Sequence, residues 1–319
     1  MRILVTGGAG YIGATAVEIL LQQGFDVSVL DDLSSGFADA LPSQARFIEG
    51  TILNMHTVRE ALTGASAVIH FAGKSLVGES VQKPDLYRDV NVHGTRVLLE
   101  EMRLANIKQI VFSSSAATYG EPTTTPITES APTQPTSPYG ETKLAIDQML
   151  TKEASAHGLA AISLRYFNVA GSMKTERGWL RERHNPETHL IPNVLHSTAD
   201  HPVKIFGSDW PTADGTCIRD YIHVVDLIDA HVRALRVLKD SHHAIINIGS
   251  GRGYSVREVI DSAQKVLERP IPTLDSPRRD GDPAVLVASI ELAESLLNWR
   301  PSRDLAQMVT DTASSLELL

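Results

Sequence analysis

The segment Gly7-Gly8-Ala9-Gly10-Tyr11-Ile12-Gly13 constrains this chain more than any other. It follows a short β-branched run, Ile3–Thr6, and opens an amphipathic stretch, Ala14–Gln23, that Gly24 closes. Glycine meets three demands here: a tight turn with positive φ, close backbone approach to a ligand, and helix-on-strand packing without a Cβ. The N–H groups that open the helix can then face a phosphate. Asp31 ends the next apolar run, Val27–Asp31, 18 residues after Gly13. A carboxylate there accepts hydrogen bonds from a free ribose 2′-hydroxyl and repels a 2′-phosphate, so NAD is expected rather than NADP. Gly7, Gly10, Tyr11, Ile12, Gly13 and Asp31, with Asp32 beside it, are the first cofactor candidates.

The same alternation continues down the chain. Arg46–Glu49, Ala67–Phe71, Gln109–Ser114 and Ile162–Phe167 read as buried parallel strands. Thr57–Leu62, Asp85–Ala105 and Tyr139–His157 read as the helices between them. The pattern predicts an α/β fold with a Rossmann-type doubly wound parallel sheet. After Gly171 it weakens. Ser172–His189 is polar, carries Arg177, Arg181, Arg183 and His184, and reads as a functional loop. Val203–Phe206, Val225–Lys239, Ile245–Ile248, Ser255–Glu268 and Asp304–Leu316 then form a second, smaller α/β unit. We therefore expect a cofactor domain over 1–171 and a substrate-binding domain over 172–319. Elements of about 217–249 are expected to return to the first.

Composition narrows the function classes. The net charge is −9, which supplies no global field for nucleic acid or an anionic membrane surface. Any anionic ligand must be held by local devices. No apolar run reaches the ~18 residues of a membrane-spanning helix, and Ile3–Gly24 reads as strand, turn and helix rather than a leader. One cysteine, Cys217, excludes an intramolecular disulfide and a cysteine metal cage, and fits a cytoplasmic protein.

Tyr139-Gly140-Glu141-Thr142-Lys143 places a phenol and an ammonium at i and i+4, on one helix face. Ser137 suits the N-cap and Pro138 the first helical position. The ammonium is expected to lower a phenol pKa that is otherwise about 10, making Tyr139 a general base. Upstream, Ser113-Ser114-Ser115 ends a strand, where doubly wound folds bind ligands, and Ser115 could relay a proton to Tyr139.

Further stretches complete the pattern: His70-Phe71-Ala72-Gly73, Val77-Gly78-Glu79-Ser80, Asn91-Val92-His93-Gly94-Thr95, Leu164-Arg165-Tyr166-Phe167-Asn168, Arg219-Asp220-Tyr221-Ile222-His223-Val224 and Arg278-Arg279-Asp280-Gly281-Asp282-Pro283. With these the sequence resembles the extended short-chain dehydrogenase/reductase family, in its epimerase branch, over nearly its whole length. The resemblance implies NAD-dependent 4-epimerisation of a UDP-hexose, interconverting UDP-glucose and UDP-galactose through a transient 4-keto sugar. It implies that Tyr139 is the base, tuned by Lys143 and assisted by Ser115. Phe71, Ala72, Gly73, Asn91, Ser113 and Tyr166 would join the cofactor site. Asn168, Arg219 and Arg279 would hold the substrate diphosphate, Asp282 the uridine ribose, and His189 and Leu190 the uracil. Arginine suits that task because its planar fork binds phosphate bidentately. The family also implies a homodimer through Asp85–Ala105 and Tyr139–His157.

The sequence departs from the family in places. Gly50-Thr51 stands where an aspartate usually contacts adenine, Ser75 where some members carry lysine, and Leu286 at the position that gates sugar bulk. Other UDP sugars (N-acetylhexosamines, a pentose or a uronic acid) are alternative substrates. A 4,6-dehydratase needs a carboxyl pair after Ser115, where Ala116 and Ala117 stand instead. A non-catalytic NAD-sensing module would have no need of Tyr139 and Lys143. His184, His189, His196 and His201 form no i, i+4 helical pair with a carboxylate, so spacing points to no metal.

Overall fold

The apolar runs pair into one sheet of seven parallel strands: β1 (Arg2–Thr6), β2 (Asp26–Asp31), β3 (Arg46–Glu49), β4 (Ala67–His70), β5 (Gln109–Ser115), β6 (Ala160–Tyr166) and a seventh, His243–Ile248. The computed structural model describes residues 1–239, 241–279 and 281–319, so Asp280 of the arginine motif lies outside the described residues. The strand order is seventh–β6–β5–β4–β1–β2–β3. β1 pairs with β2 on one side and β4 on the other, with Thr6 opposite Leu30 and His70. The order reverses there, which opens a crevice at the carboxyl ends of the strands. The seventh strand joins β6 in parallel, Ile248 opposite Tyr166.

Both faces of the sheet are covered, as near-continuous apolar strands require. One face packs Ile3, Val5, Ile69 and Leu164 against Val17 and Leu20 of helix Tyr11–Gln22 and Leu227 and Ile228 of helix Val224–Val237. The other packs Leu4, Val68, Ile110 and Phe112 against Leu98 of helix Gly94–Leu104 and Ile146 and Leu150 of helix Pro138–His157. Each such side chain contributes about 1.5–3 kcal/mol through burial. A third cluster centres on Val194, Val259, Met308 and Val309, from helices Leu190–Leu195, Val256–Leu267 and Leu305–Ser315. It forms the smaller α/β lobe beyond the strand ends, beside a two-stranded parallel sheet, Val203–Phe206 with Thr273–Ser276.

The expected helix Asp85–Ala105 is present as one helical run from Pro84 to Leu104, but it is not α-helical throughout. A short helix, Pro84–Tyr87, passes through a π-helical turn, Arg88–His93, into helix Gly94–Leu104. A Cβ on Gly94 would lie 2.6 Å from Ile52 Cδ1, so glycine lets the helix press against the loop after β3. The expected loop Ser172–His189 contains a hairpin, Met173–Thr175 with Gly178–Leu180. Helices Leu190–Leu195 and Glu291–Leu297 were too short for their periodicity to stand out. Among the described residues no helix is long and apolar enough to cross a membrane.

Candidate active site

A cavity of about 1510 Å³ opens at the strand ends between the two lobes. At its floor lies the glycine turn. Gly7 has φ +70°, and a Cβ there would lie 2.6 Å from the Ala72 nitrogen. A Cβ on Gly13 would meet the Gly7 carbonyl at 2.1 Å. Gly10 differs: its φ is −76°, and a Cβ would sit 3.5 Å from the nearest atom, an ordinary contact. The protein tolerates bulk there, so the requirement for glycine falls on what approaches from the cavity. Gly10 is also the N-cap of helix Tyr11–Gln22, without a side-chain cap or an acidic residue in the first turn. The helix N-terminus is left free for an anion.

Asp31 ends β2 with its carboxylate nearly buried. Oδ2 accepts from the Ala9 nitrogen at 2.9 Å and Oδ1 from the Leu33 nitrogen at 2.8 Å. Burial raises its pKa, against the pull of these two bonds. Asp32 accepts from the Ser34 nitrogen and also lines the cavity. Gly7, Gly10, Tyr11, Ile12, Gly13, Phe71, Ala72, Gly73 and Thr51 stand on the same wall. The residues present therefore fit a dinucleotide: a side-chain-free turn, an open helix start and a carboxylate at the end of β2.

Asn91 and Ser113 do not reach the cavity surface. Asn91 is buried behind the wall, where Oδ1 accepts from the Lys74 nitrogen at 2.8 Å and Nδ2 donates to the Lys74 carbonyl at 3.0 Å. It shapes the 71–74 loop. Ser113 is buried beneath Tyr166, its hydroxyl 2.8 Å from the Tyr166 hydroxyl. Tyr166 itself lines the cavity, its pKa raised by burial and by Tyr139.

Tyr139, Lys143 and Ser115 meet where β5 ends. Ser137 accepts from the Gly140 nitrogen at 3.2 Å and so caps the helix that carries Tyr139. A Cβ on Gly140 would lie 2.5 Å from the Ala117 carbonyl, so glycine brings this helix against the strand end. All three side chains line the cavity. The electrostatics differ from the expectation. Burial raises the Tyr139 pKa, and the nearby Ser115 hydroxyl pulls the other way. Lys143 lies 5.7 Å from the centre of the Tyr139 ring and donates to the Ser113 carbonyl at 2.8 Å. Its own pKa is lowered to about 8 by burial, partly offset by Asp147. The ammonium is anchored to the backbone, and burial rather than the i, i+4 pairing sets the phenol's pKa.

Across the cavity stand Asn168, Arg219, Arg279 and Asp282, with His189 at one end. Arg219 Nη1 donates to the Ile218 and Pro283 carbonyls, both at 2.9 Å, and Nη2 lies 3.4 Å from Asp282 Oδ1. The Arg279 guanidinium sits 3.8 Å from the Phe206 ring centre. Leu190 does not line the cavity; it begins the helix that packs into the smaller lobe. Leu286 does, from strand Val285–Leu286 beside Ile218–Arg219.

Sequence reading missed two devices. Asp220, fully buried, accepts from the Ser250 and Gly251 nitrogens and the Ala288 nitrogen, tying those two segments to its own behind Arg219. The 173–189 segment is a strap across the groove. Arg177 Nη2 donates to Glu18 at 3.0 Å, and Arg183 Nη1 to Asp39 at 2.8 Å with its guanidinium 3.7 Å from the Phe37 ring centre. Within the strap, Glu182, His184 and His189 come together, although their spacing shows no metal signature. Ligand-type atoms of the three lie within 4.8 Å of one another. The Glu182 hydrogen bond raises the His184 pKa. Burial lowers that of His189, but Glu187 and Glu182 outweigh it and raise it overall. No signal short of the loop's fold could have found this group.

Comparison with known proteins identifies the family of the chain. Residues 3–249 match the NAD dependent epimerase/dehydratase family. The chain is 51% identical to a UDP-glucose 4-epimerase of Corynebacterium glutamicum, covering 98% of this chain and 94% of that one. It is 50% identical to one from Streptomyces lividans, covering 97% and 94%. Its fold superposes with a TM-score of 0.95 on a crystal structure of a UDP-glucose 4-epimerase from Stenotrophomonas maltophila with bound NAD and formylated UDP-arabinopyranose, at 37% identity over 99% and 98% of the two chains.

Proposed function

The chain belongs to the NAD dependent epimerase/dehydratase family, and on that premise we propose how its residues carry the reaction. It is an isomerase that interconverts UDP-glucose and UDP-galactose at C4, with NAD as its cofactor. One observation carries the residue assignment: Tyr139, Ser115 and Lys143 share a cavity with the Gly7–Gly13 turn and with Arg219 and Arg279.

When held by the glycine turn and Asp31, NAD would supply hydride acceptance and return at C4, so the sugar would pass through a 4-keto form. The side chains do the rest. Tyr139, as phenolate, takes the proton of the sugar 4-hydroxyl and later gives it back. Burial holds Tyr139 protonated, so the base form needs positive charge nearby, which Lys143 and an oxidised nicotinamide together supply. Ser115 relays the proton between sugar and phenol. Asp31, with Asp32, would hold the adenosine ribose, while Phe71, Ala72, Gly73 and Tyr166 would wall the nicotinamide end of the groove. Asn91 and Ser113 position that wall from behind.

Arg219 and Arg279, with Asn168, grip the substrate diphosphate. The backbone bonds of Arg219 aim its fork before substrate arrives. Asp282 takes the uridine ribose, and the backbone at His189, which precedes helix Leu190–Leu195, takes the uracil, leaving the His189 imidazole to its carboxylate partners. The handle stays bound while the hexose turns over, so binding energy retains the keto sugar. In this reading the 1–171 unit, with the returning 217–249 elements, binds cofactor and the 172–319 unit binds substrate. The enzyme serves galactose metabolism in the cytoplasm as a homodimer through the 85–105 and 139–157 helices.

A second reading rests on Leu286, whose side chain stands on the cavity wall. Leucine leaves more room than the tyrosine of some relatives and less than the cysteine of others, so UDP-N-acetylglucosamine is admitted but turned over more slowly than UDP-glucose. One experiment tests both. Purified protein is incubated with UDP-galactose or UDP-N-acetylgalactosamine without added NAD. The expected result is UDP-glucose from the first, with NAD retained by the protein. No product even with saturating NAD, or full activity of Tyr139→Phe, overturns the residue assignment.

A further inference from the structure

We propose that Glu182, His184 and His189 form a binding site for one divalent cation of the zinc class, which clasps the 173–189 strap over the cofactor groove. The three residues come from nine positions of chain that no regular element holds together, between strand Gly178–Leu180 and helix Leu190–Leu195. Their donors nevertheless converge. His184 Nδ1 lies 2.5 Å from Glu182 Oε1, and His189 Nδ1 lies 3.9 Å from Glu182 Oε2. The two imidazole rings are 5.6 Å apart. Glu187 Oε1 lies 2.7 Å from His189 Nδ1 and can orient that ring or complete the shell.

The donor set chooses the metal. Two imidazole nitrogens and a carboxylate suit zinc, with a fourth position for water or Glu187. Zinc–nitrogen bonds of about 2.0–2.1 Å put tetrahedral ligands about 3.3 Å apart. The donor atoms already lie within 4.8 Å of one another, so they close to that by rotamer shifts of about an ångström. Magnesium and calcium prefer all-oxygen shells, so they compete poorly here.

Charge argues the same way. The Glu182 and Glu187 carboxylates are only 14% and 20% exposed. Among the described residues their ion-pair partners are the two histidines alone, because Arg183 is engaged by Asp39 and Arg177 by Glu18. Both acids line the same cavity as Gly10, Tyr11 and Gly13, where a dinucleotide diphosphate must sit. Two carboxylates facing a diphosphate repel it, and one divalent cation among them removes that repulsion.

The strap crosses from the smaller lobe to Glu18 and Asp39 of the cofactor lobe, so fixing it at Glu182–His189 slows cofactor exchange. The site itself does not depend on the epimerase reading; only the effect on cofactor retention does.

The test uses the full chain, stripped with a chelator and titrated with zinc chloride alone in a calorimeter. The expected result is one zinc per chain, unchanged by a large excess of Mg²⁺. Losing a hydrogen-bonding partner of a metal ligand already costs 10–100-fold in affinity, so losing a ligand in His184→Ala should cost more than about 100-fold. Glu182→Gln, which keeps the shape of the loop, should weaken it as well. Cobalt in place of zinc should give visible absorption bands in the wild type and none in His184→Ala. The release rate of bound NAD should fall several-fold with zinc. Absence of stoichiometric binding, or unchanged binding in both variants with their NAD content intact, overturns the site, since the chain has twelve histidines that can bind zinc adventitiously. Stoichiometric binding with no effect on NAD release keeps the site and overturns the clasp.

Discussion

Lys143 donates from Nζ to the carbonyl of Ser113, 2.8 Å away and thirty residues upstream. This one bond locks the helix that carries Tyr139 to the end of β5, which carries Ser115. It also explains why a lysine can be buried: the bond, the Phe112 ring 4.8 Å below it and Asp147 one turn on compensate part of its lost hydration.

Removing the base or its anchor should therefore separate activity from stability. Tyr139→Phe is expected to lower kcat by about 10²–10⁴ with the fold intact. Lys143→Met should lower kcat comparably. It should also remove a pH slope. The folded pKa of about 8 lies below the unfolded 10.5, so the unfolded chain binds the extra proton in that window. Wild-type stability then rises with pH from about 8 to 10.5, and in Lys143→Met that rise is lost. Urea unfolding at pH 8 and pH 10 measures it.

His70 should make the fold acid-sensitive. It is fully buried, with Nδ1 2.7 Å from the Thr6 hydroxyl and Nε2 2.9 Å from the Thr95 hydroxyl. Thr95 donates its own proton to the Asn91 carbonyl, so Nε2 carries the hydrogen and Nδ1 accepts from Thr6. Burial, helped by Lys143, lowers its pKa from 6.5 to about 3. As pH falls from about 6.5 towards 3, the unfolded chain takes up a proton that the folded one refuses, and stability is lost. At 1.36 kcal/mol per pH unit the loss reaches at most about 5 kcal/mol. His70→Gln should flatten this dependence between pH 7 and pH 4.5, read by urea midpoints.

Gly140 sets the distance between Tyr139 and the strand end. Gly140→Ala places a Cβ 2.5 Å from the Ala117 carbonyl and must push the helix outward. A displacement of about 1 Å at a reacting group costs on the order of 10²-fold in rate. We expect kcat to fall by that order while bound NAD is retained. An unchanged kcat would separate Gly140 from catalysis.

Arg219 should act through binding. A charge-assisted hydrogen bond contributes about 1.5–3 kcal/mol. Arg219→Ala is thus expected to raise KM for UDP-galactose about 10–100-fold with a smaller change in kcat. Arg219→Lys should rescue only part of it, because a lysine lacks the fork that spans the Ile218 and Pro283 carbonyls and a phosphate. Steady-state kinetics over a UDP-galactose series separates the two constants.

Much of the cofactor half was legible beforehand because its signals are local. A glycine turn, an apolar run ending in Asp31 and a Ser137-Pro138 helix start each specify a conformation within a few residues. The smaller lobe was less legible. Helix Leu190–Leu195 and strands Ile218–Arg219, Tyr221–His223 and Val285–Leu286 are too short to carry a periodic signal, and they exist because distant segments pair with them. The π-helical turn at Arg88–His93 and the placement of Asn91 behind the wall likewise follow from packing.

By itself the sequence determined the doubly wound sheet, the phosphate turn, the choice of NAD and the pairing of Tyr139 with Lys143 on one helix face. Each rests on short-range geometry or on side-chain chemistry at fixed spacing. Only the tertiary structure decided that Lys143 anchors to Ser113, that burial holds Tyr139 protonated, and that Glu182, His184 and His189 share one place on a strap. Those outcomes depend on desolvation and on contacts between segments far apart in the chain, and neither is encoded in any local pattern.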